Sequence, residues 1–320
     1  MLHGFAQTCR GCLMPHLPKI NHLRAFEAII LHGSIRAAAK ALNQTQPGIT
    51  RTLQELEATL GATLMVRGTR GIVLTDAGRV FEARMKLVLY ELERSVDEIQ
   101  QINQSQHGTV SFGCSHLKTL RIIPSVMQRI NTAYPKALVS LYEGQLSELL
   151  PSLRVGRLDF FIGIISEEIS LGEFVEEPLM TCPFGVVARK GHPLANCTSL
   201  VELRNAKWYL PVADAGYYSH LEALLFPAGK GPETVVFKGD SFAVGERLVM
   251  EADYLVIAPL AMLDIDFMSK LFCTIPVKEK FPHGKYSLIY RQDASLTPLA
   301  KHLINEIRFE CSKQVIQKID

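Results

Sequence analysis

Gln46, Thr50, Arg51 and Gln54 recur at steps close to one helical turn, so a helix would put them on one face. That face offers two amides, a hydroxyl and a guanidinium, and no carboxylate. Groups of these types hydrogen-bond base edges in a major groove and hold the phosphates beside it. The flanking residues supply the elements that would position them. Ser34 is a good N-cap, because its hydroxyl can accept from a free N–H of the first turn. Ile35, Ala38, Ala39 and Leu42 follow at helical spacing, and the alanines are small enough for another helix to approach closely. Asn43 and Gln44 break the pattern. Thr45 is a second N-cap, and Pro47 sits just inside the new helix, where its missing N–H costs little. Ile49, Leu53 and Leu56 form the apolar stripe opposite the polar face. Two short helices joined by a tight turn fit a DNA-recognition pair, and they fit equally an ordinary helical hairpin with a polar surface.

The next segment favours the first reading. Thr63-Leu64-Met65-Val66-Arg67 and Ile72-Val73-Leu74-Thr75 flank the Gly-bounded basic tip Gly68-Thr69-Arg70-Gly71, a hairpin signal. After a helix–turn–helix such a hairpin makes a wing, with Arg70 able to enter a minor groove and Arg67 able to hold phosphate. Residues 17–76 carry seven cations against four carboxylates, a net of +3, whereas the whole chain is only +2. Positive charge is concentrated where a phosphate-binding module needs it.

The run from Leu23 to Gly78 resembles the winged helix–turn–helix of LysR-type transcriptional regulators. The matching pieces are Leu23-Arg24-Ala25-Phe26, Gly33-Ser34-Ile35 with Ala38-Ala39, Thr45-Gln46-Pro47, Leu56-Glu57, and Leu64 to Arg67 followed by Leu74-Thr75-Asp76-Ala77-Gly78. The chain departs at Gly48, where the family more often carries Ala or a similar residue; Gly weakens a helix by up to ~1 kcal/mol relative to Ala. The resemblance and the residue types together give the candidate DNA-binding set: Ser34, Arg36, Thr45, Gln46, Pro47, Thr50, Arg51, Gln54, Arg67 and Arg70.

A chain of 320 residues, 48% of them hydrophobic, can bury a sizeable core spread over two or three units. No apolar run approaches ~18 residues, so no membrane span is expected. Residues 1–17 read as a disordered leader without the long apolar core of a secretion signal. Within it Cys9 and Cys12 form a C-x-x-C near His3 and His16, but no second ligand pair stands at a convincing distance, and no metal site or cofactor is expected. Seven scattered cysteines suit a reducing cytoplasm better than a disulfide framework.

The helices and wing occupy residues 18–76, with a first helix from Lys19 or Asn21 to His32. A long helix follows over 77–106, ending near Ser105. Phe81, Met85, Val88, Leu92, Val96, Ile99 and Ile102 recur along it at steps of three and four, and so long a stripe wants a partner helix. We therefore expect a homodimer that places two recognition helices on half-sites of a partly palindromic operator. Asn103 to Gly108 is a polar hinge. Beyond it strands at Thr109–Cys114, Ala137–Tyr142 and Leu158–Ile164 alternate with helices at Leu117–Tyr134 and Leu146–Arg154, which argues for a parallel sheet covered on both faces. A second set is expected at Phe184–Arg189, Trp208–Leu210, Val235–Lys238 and Tyr254–Ile257, with helices near Ser199–Asn205, Tyr217–Phe226 and Phe242–Glu251. The tail adds strands at Phe272–Ile275 and Lys285–Tyr290 and a helix from Pro298 to Cys311.

This half, residues 109–312, resembles the effector domain of the same family, whose fold is like that of periplasmic binding proteins. The resemblance implies two α/β subdomains, 109–178 plus 284–312 and 179–283, with a ligand in the cleft between them, and an assembly that reaches a tetramer. Leu17-Pro18-Lys19, Tyr142-Glu143, Gln145-Leu146-Ser147, Gly156 to Phe160 and Gly216 to Ser219 are similar to the branch holding the threonine dehydratase operon activator and the aminobenzoyl-glutamate utilisation regulator. The fold class expected is thus a winged, all-α N-terminal domain, a linker helix and a two-subdomain α/β domain.

In open α/β sheets ligands bind beyond the carboxyl ends of strands, near helix N-termini. Those ends give Ser115, His116, Leu117, Glu143, Gln145, Leu146, Ser166, Tyr217, Tyr218, Ser241 and Pro259 as candidate effector contacts. Free N–H groups at helix starts favour an anion, most simply a carboxylate, although Glu143 suits an amine or an Arg partner and tempers that expectation. No G-x-G-x-x-G after a strand, P-loop, H-E-x-x-H or G-x-S-x-G is present, and the pairs Glu167-Glu168 and Glu176-Glu177 read as solvated loop residues. The reading is a cytoplasmic, ligand-responsive transcription factor that binds duplex DNA and a small molecule and recruits RNA polymerase. A solute-binding module, or a non-catalytic sensor using the same cleft, is the alternative.

Overall fold

The computed structural model of the chain describes residues 17–68, 71–103, 107–165, 171–212, 218, 221–226 and 229–316. Residues 1–16 of the expected leader, with Cys9 and Cys12, lie outside them. The chain divides into two units after Glu93.

The first unit begins with α1 (Ile20–His32), α2 (Ile35–Ala41) and α3 (Gln46–Leu60). Both expected caps form: Ser34 Oγ accepts from Ala37 N at 3.1 Å and Thr45 Oγ1 from Gly48 N at 3.3 Å. A side chain at Gly48 would press on that capping hydroxyl, which gives the unexpected glycine a local reason. Gly33, at φ 69°, lets the chain reverse between α1 and α2. Phe26, Ile29, Ala38, Ala39, Ile49 and Leu56 are buried together, so the three helices share one core.

The wing is β1 (Met65–Gly68) paired antiparallel with β2 (Gly71–Leu74). Its base is fixed by Glu57, whose Oε1 accepts from Leu64 N at 2.6 Å and Met65 N at 3.3 Å. Helix α4 (Asp76–Asn103) starts at once. Thr75 Oγ1 accepts from Gly78 N at 3.0 Å and donates to Thr63 O at 2.7 Å. Any Cβ at Gly78 would overlap Leu64 O, so the crossing of α4 over the wing requires glycine there. Met85 and Leu89 are buried in the helical core and Phe81 meets Phe26 edge to face at 5.4 Å.

The second unit holds two five-stranded sheets. Strands β3 (His107–Cys114), β4 (Lys136–Glu143), β5 (Phe160–Ile165), β6 (Phe174–Cys182) and β12 (Gly284–Arg291) lie in the order β4-β3-β5-β12-β6. Strands β7 (Phe184–Arg189), β8 (Lys207–Leu210), β9 (Val235–Lys238), β10 (Tyr254–Pro259) and β11 (Phe272–Thr274) lie in the order β11-β7-β10-β8-β9. Each sheet is mixed rather than parallel throughout. The β3–β4, β3–β5, β8–β9 and β8–β10 pairs are parallel, while β12 and β7 pair antiparallel with both neighbours. The two antiparallel strands follow the two crossovers, at Pro183 and between β11 and β12. Helices α5 (His116–Ala133), α6 (Leu146–Arg154), α7 (Leu221–Leu225), α8 (Phe242–Ala252), α9 (Asp266–Leu271) and α10 (Pro298–Ile316) cover them.

Two local expectations change. Strand β6 was hidden by Pro178, which an edge strand tolerates at a bulge; the register of β12 with β6 shifts there. Its Glu176 and Glu177 are therefore strand residues: Glu176 accepts from Ser287 Oγ at 2.9 Å, and Glu177 takes both arms of Arg308 at 2.7 and 2.6 Å. Residues 199–205 form consecutive turns instead of a helix, because Glu279 Oε1 captures Ser199 Oγ at 2.7 Å and Leu200 N at 3.0 Å. Leu260–Asp264 is a 3-10 turn that feeds α9.

The last turns of α4 are tied to this unit. Arg94 Nη2 reaches Asp159 Oδ1 at 3.0 Å and Ser295 O at 3.1 Å. Buried Gln101 donates to Asp97 Oδ2 at 2.7 Å and accepts from Leu299 N at 2.9 Å.

Candidate functional site

Two places carry the candidate residues. On α3, Gln46, Pro47, Arg51 and Gln54 are exposed and Thr50 is half-buried, while Ile49 and Leu56 on the other side are fully buried. Arg51 is 82% exposed along its side chain. Its Nε donates to Glu55 Oε1 at 2.9 Å, so a carboxylate does stand at the edge of the polar face. That pair is an ordinary i,i+4 neighbour and was readable as such. Thr50 Oγ1 donates to Gln46 O at 2.9 Å, which leaves its oxygen as an acceptor and its methyl as a contact surface. Arg36 and Thr45 are exposed and Ser34 is half-buried beside the start of α2. Arg67 lies on β1, but its side chain, like Arg70 at the tip, is outside the described residues.

The second place is a cavity of about 170 Å³ in the second unit, lined from both sheets. It has room for about six waters, or one ring-sized group, the scale of a small metabolite. Six of the candidate contacts line it: Ser115, Glu143, Gln145, Tyr218, Ser241 and Pro259. Ser115, at the N-cap position of α5, accepts from Ile164 N at 3.1 Å. Gly163 leaves room for that hydroxyl, which any Cβ would strike. Ser241 caps α8 by accepting from Val244 N at 3.4 Å. Leu146 does not line the cavity. As the first residue of α6 it turns inward with Leu153 onto Leu158, Phe161 and Phe174. The side chains of His116 and Leu117, and all of Ser166 and Tyr217, are outside the described residues.

Tyr209, Glu148 and Glu246 are among the lining side chains that were unforeseen in the sequence. Tyr209 on β8 donates to Ser241 O at 2.8 Å. Any Cβ at Gly239 or Gly245 would strike its ring, so those two glycines, six residues apart around the α8 cap, were the signal for a large group packed there. Glu148 accepts from Gln145 N at 3.1 Å, a capping-box spacing. Glu246, one turn into α8, adds another carboxylate.

The described lining thus holds Glu143, Glu148, Asp240 and Glu246, with no Lys, Arg or His. Its remaining surface is mainly apolar and aromatic, including Phe242, Val249, Met262 and Tyr286. Burial, with a smaller contribution from nearby Cys182, pushes the Tyr218 phenol far above its usual range, so it stays a neutral donor. Burial and the Asp240 charge raise Tyr209 as well, against the Ser241 hydrogen bond. Cys114, Cys182 and Cys311 are buried, while Cys197 and Cys273 are half-buried.

Comparison with known proteins covers both places. Residues 20–79 match the family described as bacterial regulatory helix-turn-helix protein, lysR family, and residues 103–312 match the LysR substrate binding domain. The HTH-type transcriptional regulator TdcA of Escherichia coli (strain K12) is 36% identical over 288 residues, spanning 90% of this chain and 92% of TdcA. The fold is similar to that of CbnR, a LysR family transcriptional regulator, with a TM-score of 0.64 and 22% identity over 92% of this chain and 99% of CbnR. Full-length CbnR in complex with its target DNA gives the same TM-score and identity, over 91% and 99%.

Proposed function

We propose, from the premise that the chain belongs to the LysR-type family of bacterial transcriptional regulators, that α3 is the element that reads its operator. As a member of that family it is a DNA-binding regulator with an effector-binding unit, not an enzyme. Gln46, Thr50, Arg51 and Gln54 enter a major groove; Ser34, Arg36, Thr45 and Pro47 lie along the adjoining backbone; Arg67 and Arg70 of the wing contact phosphate and minor groove. The observation that carries this reading is the division of α3, with Ile49 and Leu56 of its apolar stripe fully buried and the Arg51 side chain 82% in water.

Helix α4 supports an oligomer. Its early apolar residues are buried in the first unit, but Val88, Val96, Ile99 and Ile102 are all more than half exposed. A stripe of that kind pairs with its counterpart on a second copy. Two copies then bring two α3 helices to a partly palindromic operator, and a tetramer is a pair of such dimers. The protein acts in the cytoplasm, and the change in half-site spacing or DNA bend governs recruitment of RNA polymerase.

The cavity takes the effector. The carboxylates of the described lining favour an effector that carries a cationic group. A carboxylate group at the capped start of α8 is accommodated when the same molecule also carries an amino group and an apolar body. The effector class is therefore a small zwitterion, an amino acid or a catabolite of one. Among the described residues no helix is long and apolar enough to cross a membrane.

The experiment is a mobility-shift titration on the promoter region beside the protein's own gene. A sequence-specific shift that survives competitor DNA at moderate salt is expected; equal affinity for an unrelated duplex would remove the reading.

A further inference from the structure

We propose that His22 is a specificity-determining residue that acts through Glu55 to position Arg51. The inference rests on the reading that α3 recognises DNA. His22 lies on α1, only 4% exposed, and neither of its ring nitrogens has a hydrogen-bond partner. A buried polar ring left in that state is unusual and calls for a physical reason. Its Nε2 lies 3.6 Å from Glu55 Oε2, a few tenths of an ångström beyond hydrogen-bond reach. The other oxygen of that carboxylate, Oε1, accepts from Arg51 Nε at 2.9 Å. One carboxylate on α3 thus sits between a buried imidazole from α1 and an exposed guanidinium.

The geometry decides what Arg51 can do. Bonding through Nε leaves both terminal nitrogens of the guanidinium free as a fork, the pair of donors that matches guanine O6 and N7. An unheld Arg51, 82% exposed, would spread over many rotamers and lose more freedom on binding. Glu55 can hold the fork only if it is itself held, and His22 is the group beneath it. A small closure of the 3.6 Å gap, as a groove presses on α3, converts the contact into a charge-assisted hydrogen bond. A leucine at position 22 would fill the same core space but could not donate.

The test uses the full chain and a panel of operator duplexes carrying single base-pair changes. Affinity and base preference are measured for the wild type, His22→Leu, His22→Gln, Glu55→Gln, Arg51→Ala and the His22→Leu/Arg51→Ala pair. His22→Leu is expected to lose about tenfold in preference at the same base pairs that Arg51→Ala relaxes, the low end of what a bidentate arginine–guanine pair discriminates. Its affinity for unrelated DNA should be unchanged, His22→Gln should restore the preference, and the double variant should be no worse than Arg51→Ala alone. Glu55→Gln, which leaves the core untouched, should reproduce the loss even if His22→Leu folds poorly. Unchanged base preference in Glu55→Gln, or a loss in the double variant that adds to that of Arg51→Ala, would overturn the inference. A wild type without base preference would instead overturn the reading it rests on, so the two failures are distinct.

Discussion

At the scale of single residues, the reading of α3 makes opposite demands on two arginines. Arg51, on the face turned to water, is proposed to read base edges, so Arg51→Ala should relax sequence preference while leaving affinity for unrelated DNA nearly intact. Arg67, on the wing, is proposed to hold phosphate; Arg67→Ala should weaken all duplexes alike and reduce the salt dependence of binding by about one counterion. Equilibrium titrations on cognate and scrambled duplexes at several salt concentrations separate the two outcomes. Gly78 makes a stricter prediction. A Cβ there overlaps a backbone oxygen, which cannot swing aside like a side-chain tip. Gly78→Ala should destabilise the first unit by about 1–3 kcal/mol, as overpacking does, and lower its melting midpoint. Much of this was legible from type and spacing: the caps at Ser34 and Thr45, the buried Ile49 and Leu56, and the outward Gln46 and Arg51 all follow from period and end chemistry. Leu146 was misplaced because the end of a strand fixes where a residue starts but not which way the first turn of the next helix faces. Tyr209 was missed because a single aromatic in a four-residue strand looks like any core residue until the glycines opposite it are placed.

At the scale of elements, α4 divides its apolar stripe between two tasks. Met85 and Leu89 serve the core of the first unit, and Val96, Ile99 and Ile102 are left in water. Substituting Ile99→Asp should therefore spare the fold and lower the oligomeric state, read as sedimentation velocity at matched concentrations. A variant that sediments as the wild type does would remove α4 as the pairing element. Helices α5 and α10 supply a second prediction. Arg129 bonds Glu306 and lies 2.8 Å from Glu310, both of them largely shielded from water. The Arg129 hydrogen bond, opposed by burial, holds the Glu306 carboxyl below its ordinary value of 4.5. A carboxyl lowered in the folded state stabilises it fully above that value and ceases to do so as pH falls through the lowered one. Arg129→Met should thus cost stability at neutral pH and narrow the difference from the wild type as pH falls below the ordinary carboxyl value of 4.5, measured as urea midpoints. The helices and most strands were legible because their periods are long and regular. Strand β6 was not, because a proline and paired glutamates imitate a loop when the bulge that accommodates them is invisible. The antiparallel strands after each crossover were likewise hidden, since pairing direction is a property of the sheet and not of any one strand.

At the scale of the whole molecule, one unit is built to read and the other to sense. The cavity predicts the class of molecule sensed. Its carboxylates and aromatic walls favour zwitterions with apolar side chains over simple carboxylates of the same size, so a thermal-shift series should show larger stabilisation with the former at equal concentration. The order of two modules and a long helix was clear from composition, since charge gathers in residues 17–76 and strand–helix alternation begins beyond the polar hinge. The chemistry of the cavity was less clear because its wall draws on strands distant in sequence. The central claim is nonetheless about the first unit, and one measurement bears on it most directly. The full chain is titrated against a duplex from its own promoter region and against the same base composition in scrambled order, at one fixed moderate salt. The account predicts tighter binding to the promoter duplex by at least about a thousandfold, the low end for specific recognition, with about ten- to a hundredfold of it lost in Arg51→Ala. Equal affinity for the two duplexes would contradict it.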